Sequence, residues 1–287
     1  KQLLKNHGWT DDSFQPELKR RIGFRLDPSE PEEVPGDIYR DHVGIHRQKQ
    51  SGYYYVGGSV SRGRITPDQM LAAANLADSF ASGEIRTTAN QNLVIVNIPE
   101  RHVEAVAKEM DAIGLPVNAS SFRRGAITCT GTEFCRLAIT ETKNFARWLV
   151  EEMEERLPGF DEHLKLNITG CPNSCGQHWI ADIGIEGKKL KVDGKFVDAY
   201  YFCVGGSVGK FQAISRPLGY RCAATEVPAA IERLLRTFLS TKQSDENLRL
   251  FFARHSDAEL RGYLAGTEVP PVQRDPSPGR VPAGVAG

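Results

Sequence analysis

Apolar and polar residues along positions 53–113 switch between the two-residue period of strands and the longer period of helices. Residues 53–60 are an aromatic and β-branched run, which predicts a strand. At Thr66-Pro67-Asp68 the pattern changes, and Thr and Pro stand in the order expected of a helix cap and a first helical residue. A second strand region is predicted over 84–98, and Pro99 starts a second helix.

Both helices carry apolar residues three and four positions apart, so one face of each is predicted to be buried. The predicted apolar positions are Met70, Ala73, Ala74, Leu76, Ala77 and Phe80 in the first helix, and Val103, Val106, Met110 and Ile113 in the second. Together with the strands they form a β-α-β-α unit, which is the unit that a ferredoxin-like α/β sandwich repeats.

A second set of elements is predicted from about Ser121 onwards. The predicted elements are a strand at 126–128, a helix over 135–157, strands at 164–169 and 180–186, a hairpin over 188–204 that turns at Asp193-Gly194, and an amphipathic helix over 228–240 followed by short helical pieces to Leu264. In the helix over 135–157 we expect Leu137, Phe145, Trp148 and Leu149 to be buried.

Composition and charge narrow the classes of function. The chain has 287 residues, with 36 basic residues balanced by 36 acidic ones, so nothing favours nucleic acid or a membrane surface as partner. It has no apolar run of transmembrane length and no signal peptide, and we expect a cytoplasmic protein. Its six cysteines are therefore expected to be reduced thiols or metal ligands. The first residue is Lys, which suggests a fragment or a processed form.

Four of the cysteines form two pairs, each where a β-rich run is predicted to give way to a helix. Cys129 and Cys135 are spaced C-x5-C, and Cys171 and Cys175 are spaced C-x3-C. Residues at i and i+4 share a helix face, and Pro172 suits the first helical position, so the second pair is expected at a helix N-terminus, where the helix dipole favours thiolates. Glycines beside these cysteines would allow close backbone approach to a bulky inorganic group: Gly131, Gly170 and Gly176. The remaining two, Cys203 and Cys222, are predicted to be buried thiols.

The spacing of the cysteines favours a [4Fe–4S] cluster over structural zinc. Zinc sites prefer two to four residues between paired ligands, and C-x5-C lies outside that habit. The C-x2-C-x2-C run of bacterial ferredoxins is absent from the sequence. A structural zinc site remains the alternative.

Two cysteine motifs resemble the signatures of a known enzyme family. The segments Cys129-Thr-Gly-Thr-Glu-Phe-Cys135 and Thr169-Gly-Cys171-Pro-Asn-Ser-Cys175 are similar to those of the sirohaem–[4Fe–4S] nitrite and sulfite reductases. Upstream segments resemble that family's ferredoxin-like half-domain, namely residues 48–57, 63–65 and 83–93. The resemblance extends from about His42 to about Leu264. It implies that Cys129, Cys135, Cys171 and Cys175 hold the cluster, and that Cys175 bridges it to the sirohaem iron.

The resemblance also implies a reaction and its partners. The family reduces nitrite to ammonia or sulfite to sulfide by six electrons, and a ferredoxin-like donor is expected. Family enzymes have two similar halves, of which this chain resembles the second, so the N-terminal half is an expected partner. The residues that bind the small anionic substrate come largely from that half. The residues within and after the cysteine motifs resemble those of ferredoxin–nitrite reductases more than those of sulfite reductase haemoproteins, so nitrite is the favoured substrate. A non-catalytic iron–sulfur electron-transfer module is the alternative function.

From the resemblance we predict an α+β protein in four segments. They are a helical remnant and connector over 1–44, a ferredoxin-like half-domain over 45–118, a mixed α/β domain that binds sirohaem and the [4Fe–4S] cluster over 119–265, and a disordered tail over 266–287. Residues 27–52, which include three prolines, are predicted to be an extended connector.

Several further residues are candidate cofactor contacts. Arg86, Asn90 and Gln91 lie on the strand that the family places beside the macrocycle, although a solvated strand edge would look the same. Asn173 would hydrogen-bond a cluster sulfur or the haem edge, or else cap a helix. Lys210 does not fit a phosphate-loop spacing and is expected to face the cofactor.

Three other residues have both a functional and an ordinary interpretation. Arg123 and Arg124 precede the first cysteine strand and would bind carboxylates, or would be solvated. His178 would be a proton donor, or a histidine of the core or surface.

Overall fold

The computed structural model describes Gly8 and residues 10–24, 41–209 and 212–267. The chain forms two compact units, Lys1–Ile38 and Tyr39–Gly287. In the first unit, helix α1 is Asp11–Ile22; Thr10 caps it in a reciprocal pair with Ser13, and it ends at Gly23 in the left-handed conformation. This helix lies within the segment predicted to be a helical remnant and connector, residues 1–44. Most of the predicted connector, the tail beyond Thr267 and Lys210 lie outside the described residues.

The first domain of the second unit is a four-stranded antiparallel sheet with two helices on one face. Its elements are β1 Gly44–Arg47, β2 Tyr53–Gly58, α2 Pro67–Phe80, β3 Ile85–Thr87, β4 Leu93–Pro99 and α3 Val103–Ala112. The strand order is β1-β2-β4-β3. Apolar residues from β2, β4, α2 and α3 make one core. Thr66 caps α2 as predicted, with Gln69 returning the bond and Pro67 in the first turn.

Three predictions for this domain were incomplete or wrong. Residues 44–47 were assigned to the connector but form strand β1, which pairs with β2. The single strand region over 84–98 is a hairpin, because Thr88 N–H donates to Asn92 O at 2.9 Å and Gln91 adopts a left-handed φ of 61°. On α2, Met70 is exposed although it was predicted to be buried.

The second domain is a five-stranded mixed sheet packed against helices. Its elements are α4 Ser121–Gly125, β5 Ala126–Thr128, α5 Lys143–Arg156, β6 Leu166–Thr169, β7 Ile183–Val192, β8 Lys195–Val204, β9 Arg216–Ala223, α6 Val227–Thr241, α7 Leu248–Arg254 and α8 Asp257–Ala265. The strand order is β5-β6-β7-β8-β9, with β5, β6 and β7 parallel and the rest antiparallel. The predicted turn at Asp193-Gly194 is confirmed, since both residues have positive φ as a tight hairpin requires. Strand β9 was not predicted.

Both cysteine motifs lie in loops rather than in the predicted helices. Helix α5 begins at Lys143, not at Cys135, and Leu137 is 69% exposed instead of buried. Residues 171–177 form turns, and Ser174 interrupts any helix with a left-handed φ of 58°. Pro172 is therefore not a first helical residue, and the helix-dipole argument for the second pair was wrong.

The two domains meet at the carboxyl end of β5 and at the start of α5. Gln91 of the first domain donates from Nε2 to Thr128 O at 2.9 Å and accepts from Thr128 N–H at 3.3 Å. Lys143 of the second domain also contacts the first domain, since its Nζ donates to Arg62 O at 2.7 Å. None of the described helices is both long and apolar enough to cross a membrane.

Candidate functional site

The two cysteine pairs follow the carboxyl ends of two neighbouring parallel strands. Cys129 is the first residue after β5, and Cys171 is the second residue after Thr169, the last residue of β6. Thr128 pairs with Ile168 in the ladder, and Cys129 N–H continues it by donating to Ile168 O at 3.1 Å. Because parallel strands end at the same edge of a sheet, both motifs leave the sheet side by side.

Gly170 ties the two loops together. Its N–H donates to Sγ of Cys129 at 3.1 Å, and its carbonyl accepts from Ile139 N at 2.7 Å and Thr140 N at 3.3 Å. A Cβ atom at this position would lie 3.0 Å from Thr140 O and 3.2 Å from Thr142 Cγ2. A side chain here would crowd the first loop, so the close approach favours glycine.

The four thiols of the motifs differ in exposure. Cys171 is buried, Cys129 and Cys135 are half-buried and Cys175 is exposed. Among residues 41–209 and 212–267, no three His, Cys, Asp or Glu side chains are grouped so as to hold a metal ion. An iron–sulfur cubane takes one thiolate at each iron rather than gathering its ligands on one ion.

The donor set fits an iron–sulfur cluster by its chemistry. Four soft thiols lie on two loops joined at Gly170, and one thiol, that of Cys129, already accepts a backbone N–H. Hydrogen bonds to the sulfur atoms are one of the means by which proteins set the reduction potential of such clusters. The other two cysteines are buried, as predicted, and burial raises the pKa of Cys203 to about 12 and that of Cys222 to about 11. They therefore stay protonated thiols.

A buried lysine that the sequence analysis did not single out lies beside the first motif. Lys143 is 9% exposed, and its Nζ donates to Thr128 O at 3.2 Å as well as to Arg62 O. Burial lowers the pKa of Lys143, and the nearby Cys129 opposes that shift. The sequence carried no signal for it, because the predicted helix over 135–157 placed Lys143 in the helix interior instead of at the N-terminus, where the helix dipole disfavours a cation.

The second motif borders a buried polar group. His178 is 1% exposed; its Nε2 lies 3.3 Å from Glu186 Oε2 and its Nδ1 lies 2.8 Å from Ser174 Oγ. Of its two predicted settings, core or surface, the structure places it in the core. Asn173, between the two cysteines, is exposed, and no helix lies there for it to cap.

A cleft on the first domain contains two of the predicted cofactor contacts. It has a volume of about 390 Å³, and Arg86 and Asn90 line it together with His42, Tyr55, Thr87, Thr88, Ala89, Val94 and Val96. Arg86 also pairs with Glu84 at 2.5 Å. Gln91 does not line the cleft, because both the nitrogen and the oxygen of its side-chain amide bond to the backbone of Thr128. It joins the rim of the cleft to the strand that precedes Cys129.

Arg123 and Arg124 both bind carboxylates of the protein itself. Arg123 contacts Glu154 of α5 at 2.7 Å, and Arg124 contacts Asp41, whose side chain is 2% exposed. These residues brace the segment that leads into β5.

Two family models together match most of the chain. The nitrite/sulfite reductase ferredoxin-like half domain matches residues 46–113, and the nitrite and sulphite reductase 4Fe-4S domain matches residues 119–262. The similar proteins include reductases of nitrite and reductases of sulfite. The assimilatory ferredoxin-dependent nitrite reductase of Haloferax mediterranei is 38% identical over 73% of this chain and 36% of its own length. A ferredoxin-dependent sulfite reductase of Mycolicibacterium paratuberculosis is 33% identical over 91% of this chain and 48% of its own length.

Solved structures agree on the fold. The Mycobacterium tuberculosis NirA protein superposes with a TM-score of 0.81 at 32% identity, covering 90% of this chain and 48% of that one. Dissimilatory sulfite reductase I superposes with a TM-score of 0.61 at 15% identity, which supports the fold alone. This chain thus spans about half or less of the length of the two ferredoxin-dependent reductases and of the NirA protein. With both domains matched in order, and with two paired-cysteine loops at one edge of its mixed sheet, the chain belongs to the nitrite and sulfite reductase family.

Proposed function

We propose that this chain is the cluster-bearing half of a sirohaem- and [4Fe–4S]-dependent reductase of nitrite or sulfite. The observation that carries the proposal is the hydrogen bond from Gly170 N–H to Cys129 Sγ, which joins the two cysteine loops at one sheet edge. In this proposal Cys129, Cys135, Cys171 and Cys175 would hold the cluster, and Cys175 would also contact the sirohaem, as the family resemblance implies. When bound, the two groups would supply single-electron transfer to the substrate.

The residues of the chain have separate tasks in this proposal. Arg86 and Asn90 line the cleft of the first domain and would contact the edge of the macrocycle, with Arg86 offering a cation to its carboxylates. Asn173 would donate to a cluster sulfur or to the macrocycle edge from its exposed position between two ligands. Gln91 would keep the cleft and Cys129 in register through Thr128.

Partners and substrate follow from the relatives. Several of them are described as ferredoxin-dependent, so we propose a ferredoxin-like electron donor. Since the chain spans about half of these relatives, we propose that it works with an N-terminal half that completes the site for a small anion. The residues of the cysteine motifs favour nitrite as the substrate, and sulfite is the alternative.

Cluster binding is tested by anaerobic reconstitution of the chain with iron and sulfide. We expect about four irons per chain and a broad iron–sulfur absorption band. Replacing any of the four motif cysteines by Ser should lower the iron content, whereas Cys203→Ala and Cys222→Ala should keep it. A colourless protein that takes up zinc instead would contradict the cluster.

Sirohaem and activity need the complete enzyme. The chain would be combined with an N-terminal half from a family member, loaded with sirohaem, and assayed with nitrite and sulfite in parallel. Sharp sirohaem bands with reduction of either anion are expected. A cluster that forms without sirohaem binding would leave a simple electron-transfer module as the function.

A further inference from the structure

The loop between Cys171 and Cys175 is supported from behind by the buried His178. The His178 carbonyl accepts a hydrogen bond from Ser215 Oγ at 3.3 Å. A Cβ atom at Gly184, on the neighbouring strand β7, would lie 2.1 Å from the same oxygen, so only glycine permits this approach. The backbone of His178 is therefore fixed against the sheet.

The side chain of His178 connects three polar residues into one line of polar contacts. Glu186 Oε2 faces its Nε2, Ser174 Oγ faces its Nδ1, and Lys188 Nζ binds the other oxygen of Glu186 at 2.5 Å. Burial lowers the pKa of His178, although Glu186 opposes the shift, so the ring is neutral and carries a single proton. That proton belongs on Nε2, which faces a carboxylate. Nδ1 then accepts from the Ser174 hydroxyl.

Ser174 is the point where this line meets the cysteine motif. Its φ of 58° lies in the left-handed region, which is unfavourable for a residue with a Cβ atom. Gln177, at φ 56°, is also left-handed; its N–H donates to Ser174 O at 2.8 Å and its carbonyl accepts from Asn167 Nδ2 at 3.0 Å. Such conformations persist only where the surroundings hold them. The hydroxyl bond to His178 supplies that hold at Ser174.

We propose that His178 and Glu186 are positioning residues for Cys175. Glu186 fixes the imidazole tautomer, the imidazole fixes the Ser174 hydroxyl, and Ser174 sets the direction in which the next residue presents its thiol. Metal sites commonly orient their ligands by such outer hydrogen bonds. Here the bond holds the residue before the ligand instead of the ligand itself. The inference rests on the proposed role of Cys175 as a cluster ligand.

Two replacements of His178 separate the two ends of the line. In His178→Asn the side-chain oxygen can take the place of Nδ1 and accept from Ser174, whereas in His178→Gln the amide nitrogen can take the place of Nε2 and donate to Glu186. Ser174→Ala removes the same hydroxyl bond from the partly exposed side, without a change in the core. Hydrogen exchange at the Gln177 amide, measured on the metal-free chain, reports how often the loop opens.

The expected result is a split between the variants. His178→Gln and Ser174→Ala should speed exchange at Gln177 by about five- to tenfold, as expected for the loss of one hydrogen bond, and His178→Asn should stay within about twofold of wild type. In the reconstituted chain, loss of iron to a chelator should follow the same order. Wild-type exchange in both His178→Gln and Ser174→Ala would overturn the inference. Failure of the wild type to bind iron would instead refute the proposed function, and the exchange measurement would still decide whether the loop is held.

Discussion

Gln91 forms a two-point amide pair with the backbone of Thr128, donating to its carbonyl at 2.9 Å and accepting from its N–H at 3.3 Å. In this way a side chain from the turn of the first domain continues the edge of the second domain's sheet. The pair lies one residue before Cys129. Gly63, at a φ of 64°, leaves the space, because a Cβ atom there would come within 2.8 Å of the Gln91 side chain. The contact between the two domains is therefore linked directly through the backbone to the loop that begins at Cys129.

Gln91→Ala should lower the free energy of unfolding by about 1–3 kcal/mol, because the N–H of the buried Thr128 loses its Gln91 partner and the Thr128 carbonyl keeps only Lys143 Nζ. Equilibrium denaturation with urea would measure the change. Thr87→Ala, which changes an exposed residue of strand β3 in the same domain, is the matched control and should cost under about 0.5 kcal/mol. Equal losses in the two variants would show that the amide pair contributes nothing.

His178 should make stability depend on pH. Burial lowers its pKa from the usual 6.5, so below pH 6.5 the unfolded chain binds a proton that the folded chain does not. The associated stability is present above that pH and is lost as pH falls towards the folded pKa, by at most about 1.4 kcal/mol per pH unit. Glu186 and Lys188 are the charged groups that face the ring.

The measurement compares wild type with His178→Asn by denaturation at several pH values from 7.5 to 5, a range of about two units around the histidine reference value. The difference in free energy should shrink as the pH is lowered. A difference that is constant across the range would mean that His178 takes no part in the pH dependence.

Lys143→Met should lower the reduction potential of a reconstituted cluster. Reduction adds negative charge, and the buried ammonium near Cys129 favours it, so its loss should shift the potential by on the order of tens of millivolts. Potentiometric titration followed by electron paramagnetic resonance would report the shift. Lys165→Met is a suitable control, because Lys165 is also desolvated but precedes the amino end of β6, away from the cysteines. If Lys165→Met lowered the reduction potential as much as Lys143→Met, the shift would come from the change in total charge and not from the position of Lys143.

Asp41→Ala should destabilise the protein by about 3 kcal/mol, because Asp41 is buried and receives Arg124 at both carboxylate oxygens as well as Val43 N–H at 2.9 Å. The exposed cross-strand pair of Lys189 and Asp198 offers a comparison, and Asp198→Ala should cost under about 1 kcal/mol. Thermal or urea denaturation of both variants would measure the difference. Similar costs would contradict a structural role for the pair of Asp41 and Arg124.

The elements with strong local signals were predictable. Thr66 and Pro67 begin a helix through interactions within one turn, and Asp193-Gly194 allows the positive φ values of a two-residue hairpin whatever surrounds it. The cysteine loops were not predictable in the same way. Leu137 suits a helix by its type, yet the segment around it is held open by hydrogen bonds to Gly170, a residue far away along the chain. Local propensity carries no information about such a bond.

The family could be recognised without coordinates, from the residue types of two cysteine motifs and an upstream half-domain. The sequence by itself also determined most helices and strands, because periodicity and capping act over a few residues. Only the tertiary structure decided that Gln91 binds Thr128, that Lys143 is buried beside the first motif, and that Glu186, His178 and Ser174 form one line. Each of these contacts joins residues that are brought together by the pairing and packing of separate elements, and such proximity is a property of the folded chain.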